Sequence, residues 1–184
     1  MVIADVRKSR ELNKVDNKKL LVDIDGVICK YDFPALVKEY FNVEIDARDI
    51  YAYNLSDVLG VSSKEIDDMF KEQVWGAPEF IEDALGILRG LSKIYEIIIY
   101  SNRVKYMGEM GLAKWLIDCG IPFRGIDNGQ GEYYCHIDDR PQKLEDTNSK
   151  IKLLFSQPWN EGCRNIKGNL KRVYSWPAIR KELL

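Results

Sequence analysis

The residues most able to do chemistry sit in one stretch, Leu20-Leu21-Val22-Asp23-Ile24-Asp25-Gly26-Val27-Ile28-Cys29. An apolar run reads as a buried strand. It ends in two carboxylates two positions apart, followed at once by a glycine. Residues i and i+2 of a strand point to the same side, so Asp23 and Asp25 start on one face, although the turn at Gly26 can swing the second away. Like charges at a strand end are unfavourable without a positive partner, and carboxylate oxygens suit Mg²⁺. The plainer reading of an isolated Asp-x-Asp-Gly is a strand running into an acidic turn.

Two further strand ends bear on that choice. Tyr95-Glu96-Ile97-Ile98-Ile99-Tyr100 is a β-branched run that finishes in Ser101-Asn102-Arg103. Tyr133-Tyr134-Cys135-His136-Ile137 finishes in Asp138-Asp139-Arg140-Pro141. Buried, β-branched runs of this kind suit a parallel sheet covered on both faces. Polar residues at the carboxyl ends of such strands are where open α/β sheets keep their ligands.

Other reactive residue types give less. The four cysteines, Cys29, Cys119, Cys135 and Cys163, contain no Cys-x-x-Cys pair, and the only histidine is His136. A structural zinc site is therefore not indicated. Cys135 and His136 are strand neighbours that point to opposite faces and would not meet. Widely spaced cysteines outside a secreted chain read as buried thiols.

The elements that must carry these residues follow from pattern. The 184 residues suffice for one domain with a sizeable core and a small subdomain. A formal charge of −2 argues against a nucleic-acid or anionic-membrane footprint. No apolar run approaches the ~20 residues of a membrane span, and residues 1–18 lack an apolar signal core, so the expected location is the cytoplasm. Between the first two strands, Ala35–Phe41 reads as a short amphipathic helix after Pro34. Ser62 and Glu65 match a capping box ahead of Ile66, Met69, Phe70 and Val74 at helical spacing. Tyr31, Phe33, Tyr51, Tyr53 and Trp75 add aromatic residues to this unit. They could line a pocket, and Trp75 and Phe41 are candidate substrate contacts, but aromatic side chains are more often core. The pattern then predicts a helix over Glu79–Lys93, the strand ending at Tyr100, and a helix over Met107–Cys119 stopped by Gly120. A short strand or connection at Ile121–Phe123 follows, then the loop Asn128–Gly131 and the strand ending at Ile137. Another short apolar run spans Ile151–Phe155, and a C-terminal helix begins at Ser175-Trp176-Pro177. Trp159 and Trp176 read as packing residues.

Alternation of strands and helices argues for a parallel sheet with crossover helices. All its strands finish at one edge, so Asp23, Asp25, Ser101, Asn102, Arg103, Asp138 and Asp139 would converge there. Four carboxylates, Asp23, Asp25, Asp138 and Asp139, make a hole for a Mg²⁺ ion that also takes a substrate phosphate. In that arrangement Asp23 is the nucleophile. Asp25 is the general acid and then the base. Ser101 and the backbone near Asn102 donate to phosphoryl oxygens. Asp138 binds the metal, and Asp139 binds or orients it.

Three of these motifs resemble those of haloacid dehalogenase (HAD) superfamily phosphatases: Asp23-Ile24-Asp25-Gly26-Val27, Ser101-Asn102-Arg103 and Asp138-Asp139 stand where that family has its first, second and fourth motifs. Within it, the chain is similar to the 5′(3′)-deoxyribonucleotidase branch. The narrower likeness rests on Asn54–Val61, on Lys114-Trp115-Leu116 ahead of Gly120-Ile121-Pro122, and on Ile137–Pro141 followed by Pro158-Trp159-Asn160 and Trp176. The likeness spans about residues 20–184. It implies an α/β, Rossmann-like three-layer core (1–30 and 77–184) with a helical cap (31–76) inserted after the first strand. It further implies a Mg²⁺-dependent phosphomonoesterase with a small phosphorylated substrate such as a nucleoside 5′-monophosphate. The superfamily's dehalogenases lack the second aspartate, so Asp25 favours phosphate chemistry.

One departure stands out. The family usually has a lysine before its fourth motif, and here no lysine lies between Lys114 and Lys143. Lys114, Arg124 and Lys143 are the residues that could supply the charge. Two rival readings remain at this stage. One is a polynucleotide end phosphatase, which the lack of a basic stripe disfavours. The other is a protein that binds a phosphorylated ligand or partner without turnover. The sequence carries no signal for oligomeric state or for the role of residues 1–18.

Overall fold

The computed structural model describes residues 18–30, 32–49, 55–73, 76–163 and 169–184. The N-terminal arm and Tyr31, Tyr51, Tyr53, Asn54, Val74 and Trp75 lie outside the described residues.

Six strands form one parallel sheet: β1 (Lys19–Val22), β2 (Glu96–Ile99), β3 (Gly125–Ile126), β4 (Glu132–Asp138), β5 (Asn148–Phe155) and β6 (Leu170–Val173). The order is β3-β2-β1-β4-β5-β6. β1 is flanked on both sides, with Val22 level with Ile99 of β2 and with Ile137 of β4. Val22 ends β1, Ile99 ends β2 and Ile137 is the last residue but one of β4. This register sets the ends of β1, β2 and β4 side by side.

The sheet is buried on both faces. Leu20, Val22, Ile97, Ile99, Cys135, Ile137, Leu153, Phe155 and Val173 share one core. Helices α4 (Ala84–Leu91), α5 (Val104–Asp118) and α7 (Trp176–Leu183) complete it through Leu88, Leu112, Trp115, Trp176 and Ile179. Trp176 is a packing residue with its indole N–H also satisfied, donating to the Val27 carbonyl at 2.8 Å. Leu21 and Ile98, alternate to the main-core residues of β1 and β2, form a smaller cluster with Tyr133 from the start of β4. Short α6 (Pro141–Asp146) packs there against β4 and β5.

Between β1 and β2 lie α1 (Phe33–Phe41), a 3₁₀ turn (Ala47–Asp49), α2 (Leu55–Leu59) and α3 (Ser63–Gln73). Asp32 caps α1, accepting from Ala35 N at 3.0 Å. The Ser62–Glu65 capping box forms as the spacing predicts: Ser62 N donates to Glu65 Oε2 at 2.9 Å and Glu65 N to Ser62 Oγ at 3.3 Å. These helices bury Val37, Leu55, Ile66 and Met69 together, and Phe41 packs at the edge of that cluster. Trp159, from beyond β5, is the residue of the sheet's own loops that joins them.

Some element bounds differ from the pattern reading. The helix expected from Glu79 begins at Ala84. Phe80 instead bridges Cys29 antiparallel, with Ile81 N donating to Ile28 O at 3.0 Å. The two chain segments leading into and out of the helical insert are thereby tied together, which costs the helix its first turn. The strand expected at 121–123 forms at Gly125–Ile126. α5 starts at Val104 and is interrupted at Gly108, whose φ of 68° is non-helical.

Candidate active site

Asp23 follows the last residue of β1, and its backbone N–H still reaches across to the Ile137 carbonyl at 3.0 Å. Asp138 closes β4 and Asp139 follows it. The three side chains each offer an oxygen within 4.8 Å of the others'. All are buried: Asp138 is 0% exposed, Asp139 3% and Asp23 5%.

The turn after β1 is built around Gly26. Ile28 N and Cys29 N both donate to the Ile24 carbonyl, at 2.8 and 2.9 Å, and Gly26 N donates to Cys29 O at 2.9 Å. Gly26 sits at φ +78°, and a β-carbon there would lie 2.4 Å from Asp139 Oδ2. Only glycine fits this backbone and this approach together. Its carbonyl accepts from Gln157 Nε2 at 2.7 Å.

Electrostatics follow from burial. Asp23 is pushed up to about 8, by removal from water first and by Asp138 next; Lys143 and Arg140 oppose the shift. Asp139 is raised well above the usual carboxylate range, by burial first and by Asp23 and Asp138 after it. Among the described residues, Asp138 Oδ2 accepts no hydrogen bond. Buried carboxylate oxygens gathered this closely are what a hard divalent cation satisfies. The donor set therefore fits Mg²⁺, with Asp23, Asp138 and Asp139 as the residues to hold it.

Asp25 stands apart from this cluster. Its carboxylate is gripped by Arg103, with Nε at 3.0 and 3.2 Å and Nη2 at 2.8 Å. Arg103 is 6% exposed and lies over the Trp115 ring, 4.3 Å from its centre. The sequence allows Arg103 to be phosphate-binding, to brace the helical insert or to pair with an acid; the structure places it against Asp25. Ser101 is buried at the end of β2, its Oγ accepting from Arg103 N at 3.2 Å, and Asn102 is exposed beside it. A cavity of ≈ 620 Å³ opens here, bounded by Tyr100, Ser101, Asn102, Lys105 and Asn128.

Of the three candidate cations, Lys143 acts on Asp23. It rises from α6 over the Tyr100 ring, 3.8 Å from its centre. Lys114 is exposed and pairs with Asp118 at 2.7 Å. Arg124 lies with Ser92, Lys93 and Tyr95 around a cavity near the opposite end of β2.

Pattern reasoning missed two groups. Arg140 lowers both Asp23 and Asp139, and its position directly after the acidic pair was the available signal. Trp159 packs edge-on against Phe33 of α1, ring centres 4.9 Å apart, and also donates its indole N–H to Asp139 Oδ2 at 2.8 Å. Asn160 braces the same loop, donating to the Asp139 and Phe155 carbonyls at 2.8 Å, while Arg172 holds its Oδ1 at 2.6 Å.

No family model matches the chain, and no curated protein does. Solved structures do. A haloacid dehalogenase-like family hydrolase from Streptococcus pneumoniae superposes with a TM-score of 0.64 at 13% identity, over 91% of this chain and 98% of that one. The fold is that of the haloacid dehalogenase-like hydrolases. YfnB of Bacillus subtilis, assigned to the HAD-hydrolases and solved with magnesium bound, gives 0.57 at 14% identity over 90% and 98% of the two chains. The L-2-haloacid dehalogenase Rha0230 gives 0.52 at 16% identity, over 90% and 94%. One fold thus carries more than one chemistry, and the site has to decide between them.

Proposed function

We propose that this protein is a Mg²⁺-dependent phosphomonoesterase acting on a small phosphorylated metabolite, with a nucleoside 5′-monophosphate as the leading class. The observation that carries the reading is the buried triad of Asp23, Asp138 and Asp139 with Lys143 and Arg140 set beside it. Three acids without a cation disfavour their own ionisation; with one, they form a seat for a phosphate dianion. A magnesium-bound neighbour of the same fold supports the choice of ion.

When bound, Mg²⁺ neutralises the triad and screens the incoming phosphate from Asp23. Asp23 then attacks phosphorus through a carboxylate oxygen, and the ester oxygen leaves with the bonding pair. Asp25 protonates that oxygen. It next removes a proton from water, which attacks the aspartyl-phosphate and frees Asp23 and inorganic phosphate. Ser101 donates to a phosphoryl oxygen, and Lys143 balances charge on the opposite side. The cavity beside Ser101 and Asn102 is where the leaving group would lie.

A second reading has its own observation. Arg103 holds Asp25 through both carboxylate oxygens, so the side chain is turned to a guanidinium and away from the acidic triad. On that reading the protein binds a phosphorylated ligand without turnover. One experiment separates the two: phosphate release from p-nitrophenyl phosphate, with Mg²⁺ or EDTA, for wild type and Asp23→Asn. The phosphatase reading expects magnesium-dependent turnover that falls by about 10³-fold or more in the variant. No turnover above the variant's background sinks it and favours binding alone. A panel of nucleoside monophosphates and sugar phosphates then ranks substrates by kcat/KM.

A further inference from the structure

The chain's single histidine is absent from every role assigned so far, yet it lies directly behind the acidic triad. β4 alternates, so Cys135 and Ile137 face the main core while His136 and Asp138 share the other face. His136 is fully buried, as is Asp138. A buried parallel strand ordinarily places an aliphatic residue at such a position.

Both imidazole nitrogens have polar neighbours. Nδ1 lies 2.8 Å from Thr147 Oγ1, at the end of α6. Nε2 lies 3.3 Å from Asp138 Oδ2. That contact is within ion-pair range, and among the described residues neither atom has a hydrogen-bond partner. The other Asp138 oxygen, Oδ1, accepts from Arg140 N at 2.8 Å. Among the described residues Nε2 and Oδ2 each have the other as polar contact, and Oδ2 keeps a second lone pair for a cation.

The proton arrangement follows. Asp138 as a metal ligand is a carboxylate, an acceptor only. An unprotonated Nε2 facing it would set lone pair against lone pair. The nitrogen toward Asp138 must carry a hydrogen. In the neutral ring, Nδ1 is then the acceptor and Thr147 supplies its hydroxyl proton to it. The Leu144 carbonyl, 3.3 Å from Thr147 Oγ1, is the alternative acceptor for that hydroxyl.

The geometry points to His136 as a positioning residue for the metal ligand Asp138, with Thr147 setting its tautomer. This rests on the metal-site reading above. The imidazole N–H fixes the rotation of the Asp138 carboxylate, so that the oxygen offered to the cation is presented without loss of side-chain freedom on binding. Ring orientation is itself held: Tyr100 packs on the imidazole with ring centres 5.6 Å apart, and Lys143 covers Tyr100. The structural alternative is a core histidine that only fills space.

The test is Mn²⁺ affinity of the purified, metal-stripped protein, measured by electron paramagnetic resonance of free Mn²⁺, with the thermal midpoint in EDTA recorded alongside. His136→Leu keeps the volume apolar and removes the donor. His136→Gln keeps an N–H near the Nε2 position. Thr147→Val removes the group that sets the tautomer. Partners of this kind are worth about 10–100-fold in metal affinity. His136→Leu should lose that much, His136→Gln should recover most of it, and Thr147→Val should fall between. Wild-type affinity in both His136→Leu and Thr147→Val overturns the proposal. Equal weakening in His136→Leu and His136→Gln overturns it too, because a space-filling role predicts that result. If His136→Leu does not fold, His136→Gln and Thr147→Val still decide. Absence of Mn²⁺ binding by the wild type is a different failure: it removes the metal-site reading itself.

Discussion

At the scale of single residues, the contrast between Asp23 and Asp25 is the most informative. They are two positions apart in sequence and have opposite surroundings. Asp23 faces acids; Asp25 faces a guanidinium. The first was legible because its position at the end of a buried parallel strand fixes the edge it shares with Asp138. The second was not, because Arg103 and Trp115 reach Asp25 only through the packing of α5 beside β1. The pair makes a direct prediction. Arg103 is buried and Asp25 only partly so, its side chain 26% exposed, so the penalty for breaking the pair is below that of a fully buried one. Arg103→Ala should lower the unfolding free energy by about 2–3 kcal/mol in urea titrations. Arg103→Lys should recover less than half of that, since an ammonium cannot match the two-pronged geometry. A lysine variant as stable as wild type would show that the fork is incidental. Gly26→Ala is a second check at this scale. Its β-carbon would strike Asp139 Oδ2 and its φ would be strained. The variant should lose about 1–3 kcal/mol and bind Mn²⁺ more weakly than wild type. Unchanged affinity would mean that Asp139 does not serve the ion.

At the scale of elements, periodicity found what local pattern controls and missed what neighbours control. The capping box at Ser62 and the buried strands at Leu20, Ile97 and Cys135 were readable because their signals are local. The late start of α4 was not: its first residues satisfy helical spacing but are drawn into a bridge with Cys29. β6 was invisible because Leu-Lys-Arg-Val carries little apolar signal and pairs only along one side, with β5. α6 was missed because Pro141–Asp146 is six residues long, yet it carries Lys143. The helical insert is also held by a contact no pattern announces. Asp67 of α3 takes a hydrogen bond from Tyr106 at 2.8 Å and pairs with Lys105, both near the start of α5. Those two partners, Lys105 first, lower its carboxyl below the ordinary range. Since the ion pair is half exposed, its coupling energy is small, about 0.2–1 kcal/mol in a double-mutant cycle of Asp67→Asn with Lys105→Met. Hydrogen exchange should respond more clearly. Amides of α3 should exchange a few-fold faster in Asp67→Asn, while those of β1 and β4 keep their wild-type protection. Equal acceleration everywhere would mean that the contact supports global stability and not the docking of the insert.

At the scale of the whole molecule, the triad ties stability to pH in a direction opposite to that of most carboxylates. Asp23 titrates near 3.8 when exposed and is pushed up to about 8 in the fold, and Asp139 is raised as well. Between the ordinary carboxylate range and about pH 8 the folded, metal-free chain therefore binds more protons than the unfolded chain. Stability is present in full below the unfolded pKa and is lost as pH rises through the folded one. In EDTA, the urea midpoint should fall steadily from pH 5 to pH 8. Asp23→Asn should flatten much of that slope and make the metal-free protein more stable than wild type at pH 8, because an amide carries no charge to bury. Magnesium acts on the same term from the other side. It competes with protons for the triad, so added Mg²⁺ should raise the midpoint strongly at pH 8 and little at pH 5. A flat profile in EDTA, or a magnesium effect independent of pH, would mean that the three carboxylates are not jointly deprotonated around one ion. A protein arranged this way gives up metal-free stability at neutral pH to hold three buried carboxylates together. Under the proposed function a cation fills that cluster, which is why the pH profile tests the function as well as the fold.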